Sequence, residues 1–257
     1  MYLEYMERLI RSSWECPTHF YDNNIILASF PKSGNTWFRF VSSNVISLTL
    51  GKNEIDFHKI KIYSPEIRGN RKLKGLIQST TAPNFLKTHF YYGAGFKKYP
   101  SLVLFREPTK TMLSYYDYMK NEHSKTYLSF GDFLKRSRVG LDAYNLFHDT
   151  WLEKGTLFVS YDELIKNQFT GLKKIYEQLG YPISDEILTQ AIENSSRKNM
   201  ARLEREKGDP TKVSKNYQFV GLKSDRHDSE GHEGDFQFIT EKTNSIYEKM
   251  MNRRLKF

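Results

Sequence analysis

The sequence predicts an α/β fold, a central parallel sheet flanked by helices, and three observations carry that prediction. Short apolar runs stand at Ile25–Leu27, Phe85–Leu86, Leu102–Phe105 and Leu157–Val159, each suited to a strand buried on both faces. Stretches between and after them carry apolar residues three and four apart, the spacing of amphipathic helices. In IILASFPKSGNTWFRF, residues 25–40, a strand, a glycine turn and a helix follow one another directly. At 257 residues the chain has ample length for a core, and it reads as one domain over residues 1–257.

Composition narrows the functional classes. With 39 Lys and Arg against 30 Asp and Glu, the net charge of +9 suits an anionic ligand, nucleic acid or an anionic membrane surface. The single cysteine, Cys16, excludes an internal disulfide and a cysteine-based zinc site, and fits a reducing compartment. The first residues, MYLEYMERLIRSSWECPTHFYD, place Leu3, Met6, Leu9 and Ile10 at helical spacing but carry charges throughout. They read neither as a signal peptide nor as a membrane span, and no later window is apolar for long enough. The expectation is a soluble, cytoplasmic protein without a transmembrane segment.

Taken in order, Ile25 to Phe30 reads as a buried strand, and Pro31, Lys32, Ser33, Gly34 and Asn35 as a turn. From Thr36 a helix runs to about Leu50. Such a layout is an anion cradle, because the first N–H groups of a helix lack partners and sit at the positive end of its dipole. Lys32 adds a mobile charge, and Ser33 and Thr36 add hydroxyls. An ordinary strand-to-helix turn with a chance lysine has the same letters. Residues 51–84, rich in Lys, Asn and Gly with isolated Ile, show no period and read as a long, partly ordered surface connection.

Asn84 to Phe90 reads as a short strand that brings Lys87 and His89 to a sheet end, where α/β proteins bind ligands. Ser101 to Phe105 is a further strand with Arg106 at its end, and Pro108 opens a helix on which Thr111, Ser114 and Tyr118 share a face. An arginine fork plus a hydroxyl suits a terminal phosphate; a structural arginine and a back-bonded serine are the alternative. Two amphipathic helices follow between Leu128 and Glu153, then a strand over Thr156–Ser160 that ends at Tyr161 and Asp162. Helices over Phe169–Leu179 and Ser184–Glu193 are split by Gly180-Tyr181-Pro182, and Ser195 to Met200 begins another. Residues 205–235, charged and glycine-containing, read as a mobile lid loop, and Ile239 to Phe257 as a basic terminal helix.

Three segments together resemble the PAPS-dependent sulfotransferases of cytosolic or bacterial type. PKSGNTW, residues 31–37, is similar to their 5′-phosphosulfate loop, P-K-S/A/T-G-T/N-T-W; Lys87-Thr88-His89 matches their K-T-H segment; and REPTKTMLSYYDY, residues 106–118, resembles their 3′-phosphate motif, R-N/D-P-x-D/E-x-x-x-S-x-Y. Glu107 and Lys110 depart from it. Toward the C-terminus Gly231 to Phe236 keeps the G-x-x-G-D-aromatic half of the family's basic lid, while Ser229-Glu230 replaces its basic pair. Arg197 stands where an adenine-contacting aromatic is usual. The ordered set is specific, and its detail covers Ile25 to Leu179.

The resemblance implies a nucleotide-kinase-like, P-loop-type sulfotransferase fold and in-line transfer of a sulfuryl group from PAPS to a hydroxyl or amine acceptor, leaving PAP. It implies His89 as general base, an imidazole near its ordinary pKa being half-available at neutral pH, with Lys32 and Lys87 neutralising charge on the bridging and sulfuryl oxygens. Ser33, Gly34, Asn35 and Thr36 would hold the 5′-phosphate, Trp37 would stack on adenine, and Tyr161 would close over the nucleotide. Arg106, Ser114 and Arg226 (or Lys223) would bind the 3′-phosphate. No metal is required. A kinase or NTPase using ATP and magnesium, with Asp162 as the metal partner, is the alternative; its phosphate loop has glycine and lysine in the opposite order. A nucleic-acid-binding protein is a third reading, without a stacked aromatic-basic repeat to favour it.

Overall fold

A computed structural model describes residues 16–18, 20–68, 72–122, 129–152, 157–210 and 233–257. Its sheet, among the described residues, has four strands, β1 (Asn24–Ser29), β2 (Asn84–Thr88), β3 (Ser101–Phe105) and β4 (Leu157–Ser160), all parallel in the order β2-β1-β3-β4. The chain leaves β1 for β2 on one side and returns to β3 on the other, so the strand order, not the strand direction, reverses between β1 and β3. That reversal opens a crevice at the C-terminal strand ends. Pairings Ala28↔Thr88, Ser29↔Leu104 and Phe105↔Ser160 align those ends. Phe30, His89, Arg106 and Tyr161, each the first residue beyond its strand, therefore emerge along one edge.

The alternation of the strands sorts the core into two halves. Ile25, Leu27, Phe85, Leu102, Leu104 and Val159 face one apolar cluster with α1 (Asn35–Thr49), α7 (Gln168–Gln178) and α8 (Asp185–Asn194). Ile26, Ala28, Leu86, Val103, Phe105 and Phe158 face the other, with α3 (Pro108–Glu122), α4 (Phe130–Leu134), α5 (Leu141–Leu152) and α10 (Glu233–Arg253). Serines start four helices: Ser129, Ser160, Ser184 and Ser196 accept from the N–H three residues on, opening α4, α6 (Tyr161–Lys166), α8 and α9 (Arg197–Lys207). Each such cap contributes about 1 kcal/mol.

Two stretches differ from the sequence reading. The described residues of the first, 51–68 and 72–84, form no loose surface connection: Ile55, Phe57 and Tyr63 insert into the α1-side core, Ile67 and Leu73 into the other, and Ile60–Tyr63 makes the short helix α2. Their apolar residues enter singly as the chain rounds the sheet edge, so no period marks them. Within 205–235, α9 extends to Lys207 and α10 begins at Glu233, so Glu233 to Phe236 is the first turn of a helix and not loop. The remainder of that stretch, with Lys223, Arg226 and Gly231, lies outside the described residues, as do Leu3 to Ile10, Leu128, Glu153 and Thr156.

Both sheet edges are covered. Residues 65–67 run alongside β2 (Lys87 N–H to Pro65 O 2.8 Å, Ile67 N–H to Lys87 O 3.0 Å), and the C-terminal tail runs alongside β4 (Leu255 N–H to Phe158 O 2.8 Å). Pairing of this kind removes exposed strand edges. No helix among the described residues is long and apolar enough to cross a membrane, and Cys16 is buried.

Candidate active site

The loop between β1 and α1 is built as an anion cradle. Lys32 has φ 69°, a left-handed conformation that costs an L-residue about 1–2 kcal/mol, and Gly34 caps the helix with φ 93°. Strain of this kind collects at functional loops. Among the described residues no side chain caps this helix start, and its first turn holds no acidic residue. The Ser33 N–H is engaged by Phe30 O at 3.3 Å, and Gly34, Asn35 and Thr36 follow at the helix start. Lys32 Nζ lies 4.6 Å above the Tyr118 ring, which places α3 across the loop.

Arg106 reaches the same loop, and Ser114 stands one turn before Tyr118 on α3. The Arg106 guanidinium stands 5.7 Å over the Tyr161 ring and reaches Lys32 O at 3.5 Å, while its own carbonyl accepts from Tyr144 Oη at 3.1 Å. Among the described residues, no hydrogen-bond partner meets the buried Ser33 Oγ, Arg106 Nε or Ser114 Oγ. Buried polar groups are nearly always satisfied, so three orphans round one cradle fit a ligand rich in acceptor oxygens. Tyr161 lies across Gly34, where an added Cβ would sit 2.2 Å from its ring, and meets Trp37 edge-on at 6.3 Å. Burial raises the Tyr161 pKa against the pull of Arg106 and Arg197. The two departures in the arginine motif have structural work. Glu107 accepts from the N–H groups of Thr109 and Lys110, both at 2.8 Å, capping α3, and Lys110 pairs with Asp162 at 2.9 Å.

Asp162 also accepts from the Glu107 N–H at 2.9 Å, so its two oxygens hold a lysine and a backbone amide. Among the described residues no group of three His, Cys, Asp or Glu stands close enough to bind a metal.

At the β2 end, His89 Nδ1 lies 2.6 Å from Ser29 O. A carbonyl only accepts, so Nδ1 carries the proton and Nε2 keeps its lone pair. The following residues are tied to α5 by Trp151 Nε1 to Phe90 O at 3.0 Å and Tyr92 N–H to Thr150 Oγ1 at 3.1 Å. Burial first, then the Lys87 charge, push the His89 pKa down to about 3. This corrects the expectation of a half-titrated imidazole: at neutral pH His89 is wholly neutral.

Two residues missed in the sequence complete this side. Glu66 pairs with Lys87 Nζ at 3.0 Å. Arg39, buried on α1, donates through Nε to Ser64 O at 2.9 Å and through its terminal nitrogen to the same oxygen. Burial lowers Lys87 to about 8 and Arg39 to about 10. Glu66 is pushed up by burial but pulled further down by Lys87, His89 and Arg39. The sequence carried no signal for either, since Glu66 meets Lys87 across 21 residues.

Fold and site together define an α/β protein with a glycine-capped strand-to-helix loop at its strand ends and a buried histidine beside it. The chain belongs to the sulfotransferase family: the model for the sulfotransferase domain matches residues 22–254. It is 26% identical over 178 residues to sulfotransferase 6B1 of Gorilla gorilla gorilla, covering 64% of this chain and 57% of that protein. It is 24% identical over 208 residues to sulfotransferase 1B1 of Canis lupus familiaris, covering 72% and 69%. The matched segment thus spans little more than half of the first relative. Among solved structures, mouse sulfotransferase SULT7A1 complexed with PAP aligns at TM-score 0.66 and 20% identity, covering 96% of this chain and 93% of that one. Retinol dehydratase in complex with androsterone and inactive cofactor PAP aligns at TM-score 0.57 and 14% identity, covering 98% and 88%. The fold is that of the sulfotransferases.

Proposed function

We propose that this protein transfers a sulfuryl group from PAPS to an acceptor hydroxyl or amine, without a metal, and leaves PAP. The observation that carries the reading is the set of orphaned buried groups, Ser33 Oγ, Arg106 Nε and Ser114 Oγ, together with a helix start that no side chain caps. The family and the PAP named with both structural neighbours support the same donor. PAPS supplies a sulfuryl group on a good leaving group; everything else falls to the chain.

The amides of Gly34, Asn35 and Thr36, with the Thr36 hydroxyl, hold the 5′-phosphate at the positive end of α1. Arg106 and Ser114 hold the 3′-phosphate, with Arg226 as a further contact. Trp37 and Tyr161 flank the adenine. Lys32 meets charge that grows on the bridging oxygen, and Lys87 meets the sulfuryl oxygens. Preorganised charge of this kind, with attacking and leaving oxygens in line, supplies most of the rate. His89 takes the acceptor proton at Nε2, while its Nδ1–H, held by Ser29 O, keeps the tautomer. An anion beside the imidazole opposes the Lys87 field and makes it a stronger base than its depressed pKa alone allows. A single buried thiol suits a cytoplasmic setting.

Calorimetric titration with PAP, and in parallel with ATP plus magnesium, tests the reading. Metal-independent PAP binding, weakened about 100-fold in Arg106→Ala through loss of charge-assisted hydrogen bonds, is the expected result. Binding of ATP with magnesium alone would overturn it in favour of a kinase.

A further inference from the structure

The paired charges at the β2 edge have no part in the scheme above beyond Lys87 itself, yet they are built with care. The segment carrying Glu66 is zipped to β2 on both sides of Lys87 by backbone bonds of 2.8 and 3.0 Å. Its preceding residue, Ser64, is held twice: Arg39 donates to its carbonyl and its hydroxyl donates to Phe85 O. Glu66 and Lys87 are bridge partners in a parallel pair, so their side chains leave the sheet on the same face. The carboxylate meets the ammonium at 3.0 Å, and the lysine side chain is 12% exposed against 39% for the glutamate.

We infer that Glu66 is a positioning residue for the transfer step: it holds the Lys87 ammonium charged and aimed beside His89. The inference rests on the reading that Lys87 meets the sulfuryl oxygens. A lysine has three donors; one is spent on Glu66, and two remain for a ligand. The groups that face Lys87 come from every side: Glu66 and Arg68 on the edge segment, Arg39 on α1, and His89 beyond its own strand. Burial and the two arginines favour the neutral amine, and Glu66 opposes them. With its pKa at about 8, Lys87 is largely protonated at neutral pH. Without the carboxylate a smaller share of it would be.

The test is Glu66→Gln, which keeps the size of the side chain and all the backbone bonds of the edge. Lys87 is titrated by NMR in protein with 13C-labelled lysine, its signal assigned by loss in Lys87→Arg. Its midpoint is expected to fall by about one pH unit or more, the ordinary effect of removing one close opposite charge. Turnover of PAPS to PAP, with p-nitrophenol as probe acceptor, is expected to drop about fivefold or more at pH 8 and to recover to within about twofold at pH 6. PAP affinity should hold. An unchanged Lys87 midpoint, or a rate loss equal at every pH, overturns the inference. A shifted midpoint with an unchanged rate profile overturns the part given to Lys87 in transfer, and with it the catalytic consequence of Glu66. Loss of PAP binding in the wild-type protein would instead be the failure of the donor reading.

Discussion

Two buried imidazoles in this molecule share nearly every local property and differ in their surroundings. His89 ends β2, and His148 sits within α5. Each has its Nδ1 against a backbone carbonyl, Ser29 O at 2.6 Å and Tyr144 O at 2.9 Å, and each has a pKa driven by burial down to about 3. Around His89 stand Lys87, Glu66 and Arg39. Around His148 stand the rings of Tyr144, Phe147 and Phe30, at 4.2, 5.1 and 6.1 Å. A depressed pKa therefore reports burial of a neutral ring and nothing more. What separates the two rings is place: His89 stands at the strand edge where charges meet, and His148 among aromatic rings.

The largest effect that sharpens the contrast is on turnover. His89→Ala should lower kcat about 1000-fold, the usual weight of a general base, with PAP affinity nearly intact by calorimetry. His148→Phe should leave kcat within about threefold. Equal losses in the two variants would erase the distinction.

Next comes a change that touches neither ring. In Gly34→Ala the new Cβ meets Tyr161 at 2.2 Å, in a backbone conformation of φ 93° that alanine resists. PAP binding should weaken about 100-fold through the displaced cradle, while both histidines remain neutral by NMR at pH 6. If either ring titrated there, donor loop and imidazoles would be coupled.

Acid stability probes the other member of the pair. The folded pKa of His148 lies near 3, below its ordinary 6.5. The folded state thus binds fewer protons than the unfolded chain between those values, and stability is lost as pH falls below 6.5. By pH 5 the loss from one such group is about 2 kcal/mol. Urea unfolding at pH 7 and pH 5 should show a drop smaller by that amount in His148→Phe. An unaltered drop would mean that the ring is not held neutral.

The smallest effect belongs to an exposed pair. Lys110, half-exposed beside Asp162, should cost less than about 1 kcal/mol of stability when changed to Ala, with PAP affinity unchanged. A large loss of PAP binding would move Lys110 into the donor site.

Much of the candidate site was legible because several of its polar residues follow readable strands. Lys32, His89 and Arg106 follow apolar runs, and a polar residue placed there stands at a sheet end whatever the details of packing. The eight-residue spacing of Arg106 and Ser114 across a helix start was legible in the same way. The burial of Tyr161 against Gly34 was not legible, since the two come together only when β4 takes its place beside β3. Nor was the depth of His89, because letters show a histidine and not the low-dielectric wall around it.

By itself the sequence determined the strands, most of the helices, the anion cradle and the family, because periodicity, turn residues and ordered motifs act over a few neighbours. Tertiary structure alone decided what residues 51–84 do. Their apolar side chains and Glu66 have no period; they find their places one at a time along the edge of β2. It also decided that Lys87 is held by a carboxylate and His89 is kept neutral. Both facts depend on burial and on charges far apart in the chain, and those exist only once the sheet is assembled.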